Sequence, residues 1–228
     1  MNILAVFAHP DDEVLGAGGT IARYAEEGHY VAVAFLTSGR IMRDDYIKAA
    51  SALGASITRC GPLDKECAGI VPPVLYFADQ ELDKYPLLEL IEAMPTTFGL
   101  VELAKPDLLI THYLHDLNLD HQLTARAALT AFRDCPRVLM CRPIPHALPG
   151  HPFEPNYWVK LHADHLVAAA RALACYKSEA REYPHWRSPE KFLNRLCELP
   201  NNYATEPFMA VRWIDELPGQ SVLPSDRK

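Results

Sequence analysis

Apolar runs alternate with amphipathic stretches along the first 140 residues of the chain. The apolar runs predict buried strands at NILAVF (2–7), YVAVAFLT (30–37), KPDLLITHY (105–113) and VLMCR (138–142). The amphipathic stretches predict helices at TIARYAEEGH (20–29), which ends at Gly28, at RDDYIKAASALGA (43–55), with Gly54 as its stop, and at QLTARAALTAFR (122–133). This alternation is typical of βαβ units and predicts an α/β fold with a mostly parallel sheet flanked by helices.

The later part of the chain has a weaker pattern. Residues 162–180 predict a long helix, which leaves His162 and His165 as expected surface residues. Prolines interrupt residues 142–155, and the tail from Tyr183 onwards mixes proline, aromatic residues and short segments without a clear period. We find no internal repeat, and we interpret residues 1–228 as a single domain.

Composition limits the classes of function. The net charge of −7 argues against a general nucleic-acid binder, because phosphate contacts need clustered lysine and arginine. The sequence contains neither an apolar run long enough to span a membrane nor a basic segment before its first apolar run. Six cysteines without a CxxC pair indicate reduced thiols rather than a thiolate zinc site. We therefore expect a cytoplasmic protein with no membrane span and no nucleic-acid partner.

Two polar clusters follow predicted strands: AHPDDE at residues 8–13 and THYLHDLNLDH at residues 111–121. Ligands of open parallel sheets bind outside the carboxyl ends of the strands, so these clusters are expected to meet. His9, Asp12 and His121 would then provide nitrogen and oxygen ligands for a catalytic divalent metal. Asp11 would remain free to accept a proton from water that the metal acidifies. The alternative interpretation is that the acidic turn only caps a helix N-terminus.

Several segments resemble one known family, the PIG-L/LmbE-like de-N-acetylases. The resemblance lies in AVFAHPDDEVLGAGGTIARYAEEGH, TSGR, KPDLLITHYLHDLNLDH and ALACYKSEAREYPHWRS, and it extends over roughly residues 2–210. It implies a Rossmann-like α/β fold and a hydrolase with one zinc ion per chain. The reaction that it implies is removal of the acetyl group from an N-acetylglucosamine-type sugar or conjugate.

The resemblance also implies roles for individual residues. His9, Asp12 and His121 match the zinc ligands, and Asp11 matches the general base, which afterwards acts as the acid. Asn118 stands where the family has the first histidine of its HxxH segment. That histidine is thought to stabilise the oxyanion, so Asn118 or His146 is expected to take over this role. Asp120 is expected to orient a histidine ligand.

Residues that would contact the substrate are less sharply indicated. Arg43 and Asp79 match family segments near the substrate, although a helix surface and a turn explain them as well. Trp186 would suit a sugar ring, although packing is its commoner role. Family members differ in their pocket-forming loops, so residues 142–155 and 183–228 are expected to shape the substrate site.

Three other functions remain open at this point. The first is a zinc amidase or deacylase for a different N-acyl group. The second is an inactive Rossmann-like binding module, which the departure at Asn118 favours. A nucleotide-binding dehydrogenase is a weaker third, because the first turn lacks GxGxxG and its acids would repel a pyrophosphate. Family resemblance also indicates a possible homo-oligomer.

Overall fold

A seven-stranded sheet forms the centre of the computed structural model, which describes residues 1–37, 43–57, 82–84, 86–97, 105–196 and 204–214. The strands are β1 (Asn2–Phe7), β2 (Tyr30–Phe35), β3 (Ser56–Ile57), β4 (Leu108–Thr111), β5 (Arg137–Cys141), β6 (Tyr157–Leu161) and β7 (Ala204–Trp213). Their order in the sheet is β3-β2-β1-β4-β5-β7-β6.

The first five strands in the chain are parallel to one another, and β7 joins β5 antiparallel. Strand β6 pairs antiparallel with β7 at the edge of the sheet. The chain runs outwards from β1 through β2 to β3, and then returns to the other side of β1 to form β4. The order of the strands therefore reverses between β1 and β4, and such a reversal opens a crevice at the carboxyl ends of the strands. The predicted α/β class and the mostly parallel sheet are confirmed.

Helices cover both faces of the sheet. They are α1 (Asp12–Glu26), α2 (Arg43–Ala52), α3 (Leu87–Thr97), α4 (Leu119–Ala131), α5 (Ala163–Cys175) and α6 (Pro189–Leu196). Alternate residues of β1 point to opposite faces: Ile3, Ala5 and Phe7 pack with α1 and α5, whereas Leu4 and Val6 pack with α3 and α4. Within the described ranges, no helix is both long and apolar enough to cross a membrane.

Helix α1 begins eight residues earlier than its apolar spacing predicts, and its glycines lie inside the helix. A Cβ atom at Gly16 would lie 2.8 Å from Cys141 Sγ, and one at Gly19 would collide with Leu161. These glycines therefore allow the helix to approach the sheet closely. Sequence spacing missed the early start because a glycine-rich stretch has low intrinsic helix propensity.

The later chain departs from the predictions in the end of one helix and in the burial of one histidine. The helix predicted over residues 162–180 ends at Cys175, and a short 3₁₀ turn follows it. The expectation that His165 lies at the surface is wrong, since only 3% of this residue is exposed. Its Nδ1 accepts the His162 N–H at 3.0 Å, and its Nε2 contacts the Glu26 carboxylate on α1. Both ring nitrogens thus have partners where α5 packs against α1.

Glu206 on β7 stabilises a break in α1. The helix kinks at Ala17, where φ is −151°, and the buried Glu206 carboxylate accepts the N–H groups of Gly19 at 2.8 Å and Thr20 at 2.6 Å. We expect Glu206→Ala to lower the free energy of unfolding by about 1.5–3 kcal/mol, because two buried donors lose their acceptor. Denaturant titration measures this, with the exposed Glu190→Ala as control. Equal effects of the two variants would contradict the assignment.

Candidate metal centre and active site

The two polar clusters meet at the carboxyl ends of β1 and β4. These strands are parallel neighbours, with Val6 opposite Thr111. The AHPDDE turn leads from β1 directly into α1, and the second cluster leads from β4 into α4. Both clusters are therefore held by a strand on one side and by a helix on the other. The expectation that the fold would bring them together is confirmed.

His9, Asp12 and His121 converge on one point. Asp12 Oδ2 lies 3.2 Å from His9 Nδ1 and 3.2 Å from His121 Nε2. One ligand atom from each residue lies within 4.8 Å of the other two. Asp12 and His121 are buried, and His9 is partly exposed. Two imidazole nitrogens and one carboxylate oxygen form a donor set that suits catalytic zinc, so these residues fit the metal that the sequence predicts.

Two further carboxylates orient the histidines. Asp120 Oδ2 lies 3.0 Å from His9 Nε2, and its other oxygen accepts the Leu82 N–H at 2.9 Å. Asp116 Oδ2 lies 3.1 Å from His121 Nδ1. Carboxylates on the far nitrogens of metal-binding histidines fix the tautomer and the ring orientation. Asp120 lies beside His9, and its orienting role stays a prediction. Asp116 belongs to the predicted cluster at residues 111–121, but the sequence indicated no role for it.

His112 borders the centre but is committed to another contact. Its ring stacks on that of His121, with centroids 3.9 Å apart and planes inclined by 11°. Its Nε2 lies 3.5 Å from Asp12 Oδ2 but accepts the main-chain N–H of Ala8 at 2.9 Å. Because this bond uses the Nε2 lone pair, His112 is a poor candidate for a metal ligand. Its stacked ring instead supports the position of His121.

Asp11 is a buried carboxylate in an unusual backbone conformation. Its φ of 95° lies in the left-handed region, which residues other than glycine seldom adopt. The side chain is fully buried, and neither carboxylate oxygen accepts a hydrogen bond of standard geometry among the described residues. Arg187 Nε lies 2.8 Å from Asp11 Oδ2 and forms an ion pair with it. A backbone held in a strained conformation is often found at functional sites.

The charges of the centre alter the pKa of its members. Burial raises the pKa of Asp11 well above its ordinary value, and the charge of Asp12 raises it further, whereas Arg187 opposes both effects. Burial alone would lower the pKa of His9, but its bonds to Asp12 and Asp120 raise the pKa to about 9. Burial also disfavours protonated His121, yet Asp12 and Asp116 raise its pKa to about 10. In the metal-free protein both histidines are therefore protonated at neutral pH.

We predict that zinc binding releases about two protons at pH 7.5, since zinc needs neutral imidazoles. His9 and His121 have pKa values of about 9 and 10 without metal, so lowering the pH below these values should weaken zinc binding. Calorimetric titration in two buffers that differ in ionisation enthalpy counts the protons. Binding that releases no proton and keeps the same affinity between pH 6.5 and 8.5 would contradict this ligand set.

The two candidates for oxyanion stabilisation lie on adjoining loops. Asn118 is the exposed N-cap of α4, where its side-chain oxygen accepts the Asp120 N–H at 2.9 Å. This bond leaves the two amide hydrogens of Asn118 as donors. The carbonyl of His146 accepts the Leu117 N–H at 2.9 Å, which joins its loop to the segment before α4. The roles of Asn118 and His146 stay predictions.

The predicted substrate residues are only partly described. Arg43 is the first residue of α2, and its side chain lies outside the described part of the chain, as does Asp79 entirely. Trp186 is half-buried against the core and stacks on His185, with ring centroids 5.1 Å apart. The guanidinium of Arg187 lies 4.4 Å from the centroid of its indole ring. Trp186 therefore packs against the hydrophobic core and also contacts Arg187, which forms the ion pair with Asp11.

Sequence reasoning missed three residues that surround Asp11. Arg187 forms the ion pair described above, and Glu13 accepts the Asp11 N–H at 2.9 Å. The Tyr176 hydroxyl donates a hydrogen bond to the other oxygen of Glu13. The third consecutive acid of AHPDDE was a visible signal for Glu13. Arg187 and Tyr176 lie more than 160 residues away along the chain, and Arg187 belongs to the tail without a clear period, so the sequence gives no local signal for their contacts near Asp11.

Sequence comparisons find relatives with related descriptions. The profile of the family PIG-L, described as GlcNAc-PI de-N-acetylase, matches residues 4–132. YaiS of Escherichia coli K12, an uncharacterized deacetylase, is 28% identical over 140 residues, which cover 60% of this chain and 71% of YaiS. A 1D-myo-inositol 2-acetamido-2-deoxy-alpha-D-glucopyranoside deacetylase of Gordonia bronchialis is 39% identical over 77 residues. That match covers 31% of this chain and only 27% of the Gordonia protein.

The fold is also found in solved structures. The N,N'-diacetylchitobiose deacetylase of Pyrococcus horikoshii superposes with a TM-score of 0.64. The alignment covers 91% of this chain and 82% of the Pyrococcus chain, at 17% sequence identity. At this level of identity the likeness establishes the shared fold alone.

Proposed function

The chain belongs to the PIG-L family of GlcNAc-PI de-N-acetylases, and on this premise we propose that it is a zinc-dependent N-deacetylase. The substrate is an N-acetylglucosamine-type sugar or sugar conjugate, and the products are acetate and the free amine. One observation carries the proposal: a buried carboxylate, Asp11, whose Oδ1 has no partner among the described residues, directly precedes Asp12, a member of the candidate ligand set. The Gordonia and Pyrococcus proteins are named as deacetylases of acetylated sugar compounds, and these names support the proposed substrate class.

His9, Asp12 and His121 would hold one zinc ion per chain. Zinc bound there would polarise the acetamide carbonyl as a Lewis acid and make water more acidic near neutral pH. Asp120 and Asp116 keep the two imidazole rings in the orientation that presents their nitrogens beside Asp12. The donor set is consistent with zinc, and it lacks the thiolates that closed structural zinc sites commonly use.

Asp11 is the general base in this mechanism. It takes a proton from the water that attacks the acetamide carbonyl, and it then passes that proton to the nitrogen of the leaving amine. The carbon–nitrogen bond breaks, acetate is released and Asp11 returns to its carboxylate form. Its raised pKa supports both roles, because a catalytic acid–base works best with a pKa near the operating pH.

The negative charge that develops on the carbonyl oxygen needs a donor from the protein. The side-chain amide of Asn118 is one candidate, and the ring of His146 is the other. Trp186 would contact the sugar ring, and Arg43 and Asp79 would bind its hydroxyl groups. Residues 142–155 and 183–228 would set the size and polarity of the substrate that fits.

A panel of N-acyl compounds tests the proposal against an amidase for a different acyl group. We expect acetate release from N-acetylglucosamine conjugates to be faster than release of propionate or butyrate from the matched compounds. Amine and acid should appear in equal amounts. Preference for a longer acyl group would favour the alternative deacylase. If no compound is hydrolysed while zinc binds tightly, the inactive binding module is favoured.

A further inference from the structure

The side chain of Arg187 is fixed from several sides where it meets Asp11. Its Nε lies 2.8 Å from Asp11 Oδ2, and its Nη1 donates a hydrogen bond to Glu179 Oε2 at 2.6 Å. The indole ring of Trp186 lies under the guanidinium at 4.4 Å, a cation–π distance. The main-chain N–H of Arg187 also donates to His185 Nδ1 at 3.1 Å. With 23% of its side chain exposed, Arg187 extends from the protein surface to the buried Asp11 carboxylate.

The main chain of Asp11 is held by Glu13, which in turn contacts Tyr176 after α5. Glu13 Oε2 accepts the Asp11 N–H at 2.9 Å, and Glu13 in turn accepts a hydrogen bond from the Tyr176 hydroxyl. These bonds stabilise the left-handed conformation, with φ at 95°, that directs the Asp11 side chain inward. Residues 176–187, which follow α5, thus contact Asp11 directly through Arg187 and indirectly through Tyr176.

We infer that Arg187 is a positioning residue for the general base: it holds Asp11 Oδ2 through an ion pair and leaves Oδ1 to accept the proton. Glu179 holds the guanidinium from its other side and keeps it from turning towards solvent. This inference rests on the proposed function, because it takes Asp11 as the base. It assigns to Arg187 an effect on turnover that acts through Asp11 and without contact with the substrate.

Kinetic analysis of Arg187→Gln tests the inference. We expect kcat for acetate release to fall by about 10- to 100-fold, with KM and zinc content within about twofold of the parent protein. Arg187→Lys keeps the charge and should recover part of the loss. Glu179→Gln should lower kcat by a smaller factor. The exposed Arg171→Gln on α5 is the matched control and should retain full activity.

A double variant separates positioning from a general effect on the fold. If Arg187 acts through Asp11, then Arg187→Gln should lower kcat only slightly when Asp11 has already been replaced by asparagine. A full additional loss in this background would overturn the inference. A rise in KM at unchanged kcat would also overturn it, because Arg187 would then bind the substrate.

A crystal structure of Arg187→Gln gives a readout that does not depend on activity. We expect the Asp11 carboxylate to rotate about its side-chain torsions, while the backbone φ of Asp11 stays positive because Glu13 still binds its N–H. An unchanged carboxylate would overturn the inference even if no substrate is known. If the carboxylate rotates but the parent protein hydrolyses no N-acetyl sugar, the proposed function fails while the positioning contact stands.

Discussion

Replacing Asp11 with asparagine is expected to lower kcat for acetate release by about 10²- to 10⁴-fold, the usual contribution of a general acid–base. Asparagine has nearly the same shape but cannot accept the proton from water. The three zinc ligands are unchanged in this variant, so zinc content should stay near that of the parent protein. Steady-state kinetics on an N-acetylglucosamine conjugate, together with elemental analysis of the same sample, measures both quantities.

The control for this prediction is Asp164→Asn, which makes the same chemical change at an exposed position on α5. It should retain the parent rate. A near-normal rate for Asp11→Asn would show that Asp11 is not the base. Loss of zinc from Asp11→Asn would show instead that this residue maintains the metal centre, and the assignment of separate roles to Asp11 and Asp12 would be wrong.

Replacing His121 with alanine is expected to remove zinc and turnover together. Loss of a group that only orients a ligand weakens metal binding by about 10- to 100-fold, so loss of a ligand should weaken it by more. Asp12 would also lose the partner that lies 3.2 Å from its Oδ2. Elemental analysis after dialysis, and competition for zinc with a chromogenic chelator, measure the change in affinity.

His29→Ala is the matched control, because His29 follows α1 and contacts the N-terminal amine rather than the candidate centre. It should bind zinc as the parent protein does. Full zinc content in dialysed His121→Ala would contradict the ligand set. His112 would then have to replace it, although its Nε2 accepts the Ala8 N–H.

Much of the sheet could be predicted from the sequence because its central strands are buried on both faces. Runs such as NILAVF and LLIT have no polar face to confuse the pattern, and the structure contains β1 and β4 there. Strands β6 and β7 were not predicted. Pro207 and the buried Glu206 lie inside β7, where a strand pattern would have a residue of high β-propensity and an apolar residue, so the usual strand pattern is absent from the sequence.

The candidate metal centre could be predicted for a different reason. His9, Asp12 and His121 follow two strands that the pattern identifies, and the topology of parallel sheets then brings their carboxyl ends together. Arg187 has no comparable signal. Its contact with Asp11 depends on how residues after α5 fold back over the turn that follows β1, and tertiary packing of this kind leaves no local period in the sequence.

The most direct test of the account is a chelation and reconstitution experiment on the untagged protein. We predict about one zinc ion per chain, acetate release from an N-acetylglucosamine conjugate, loss of both on treatment with a strong chelator, and recovery of the rate when one equivalent of zinc is added. Acetate release that continues at the parent rate after zinc has been fully removed would contradict the account. The residues His9, Asp12 and His121 would then have to serve a purpose other than holding a catalytic metal.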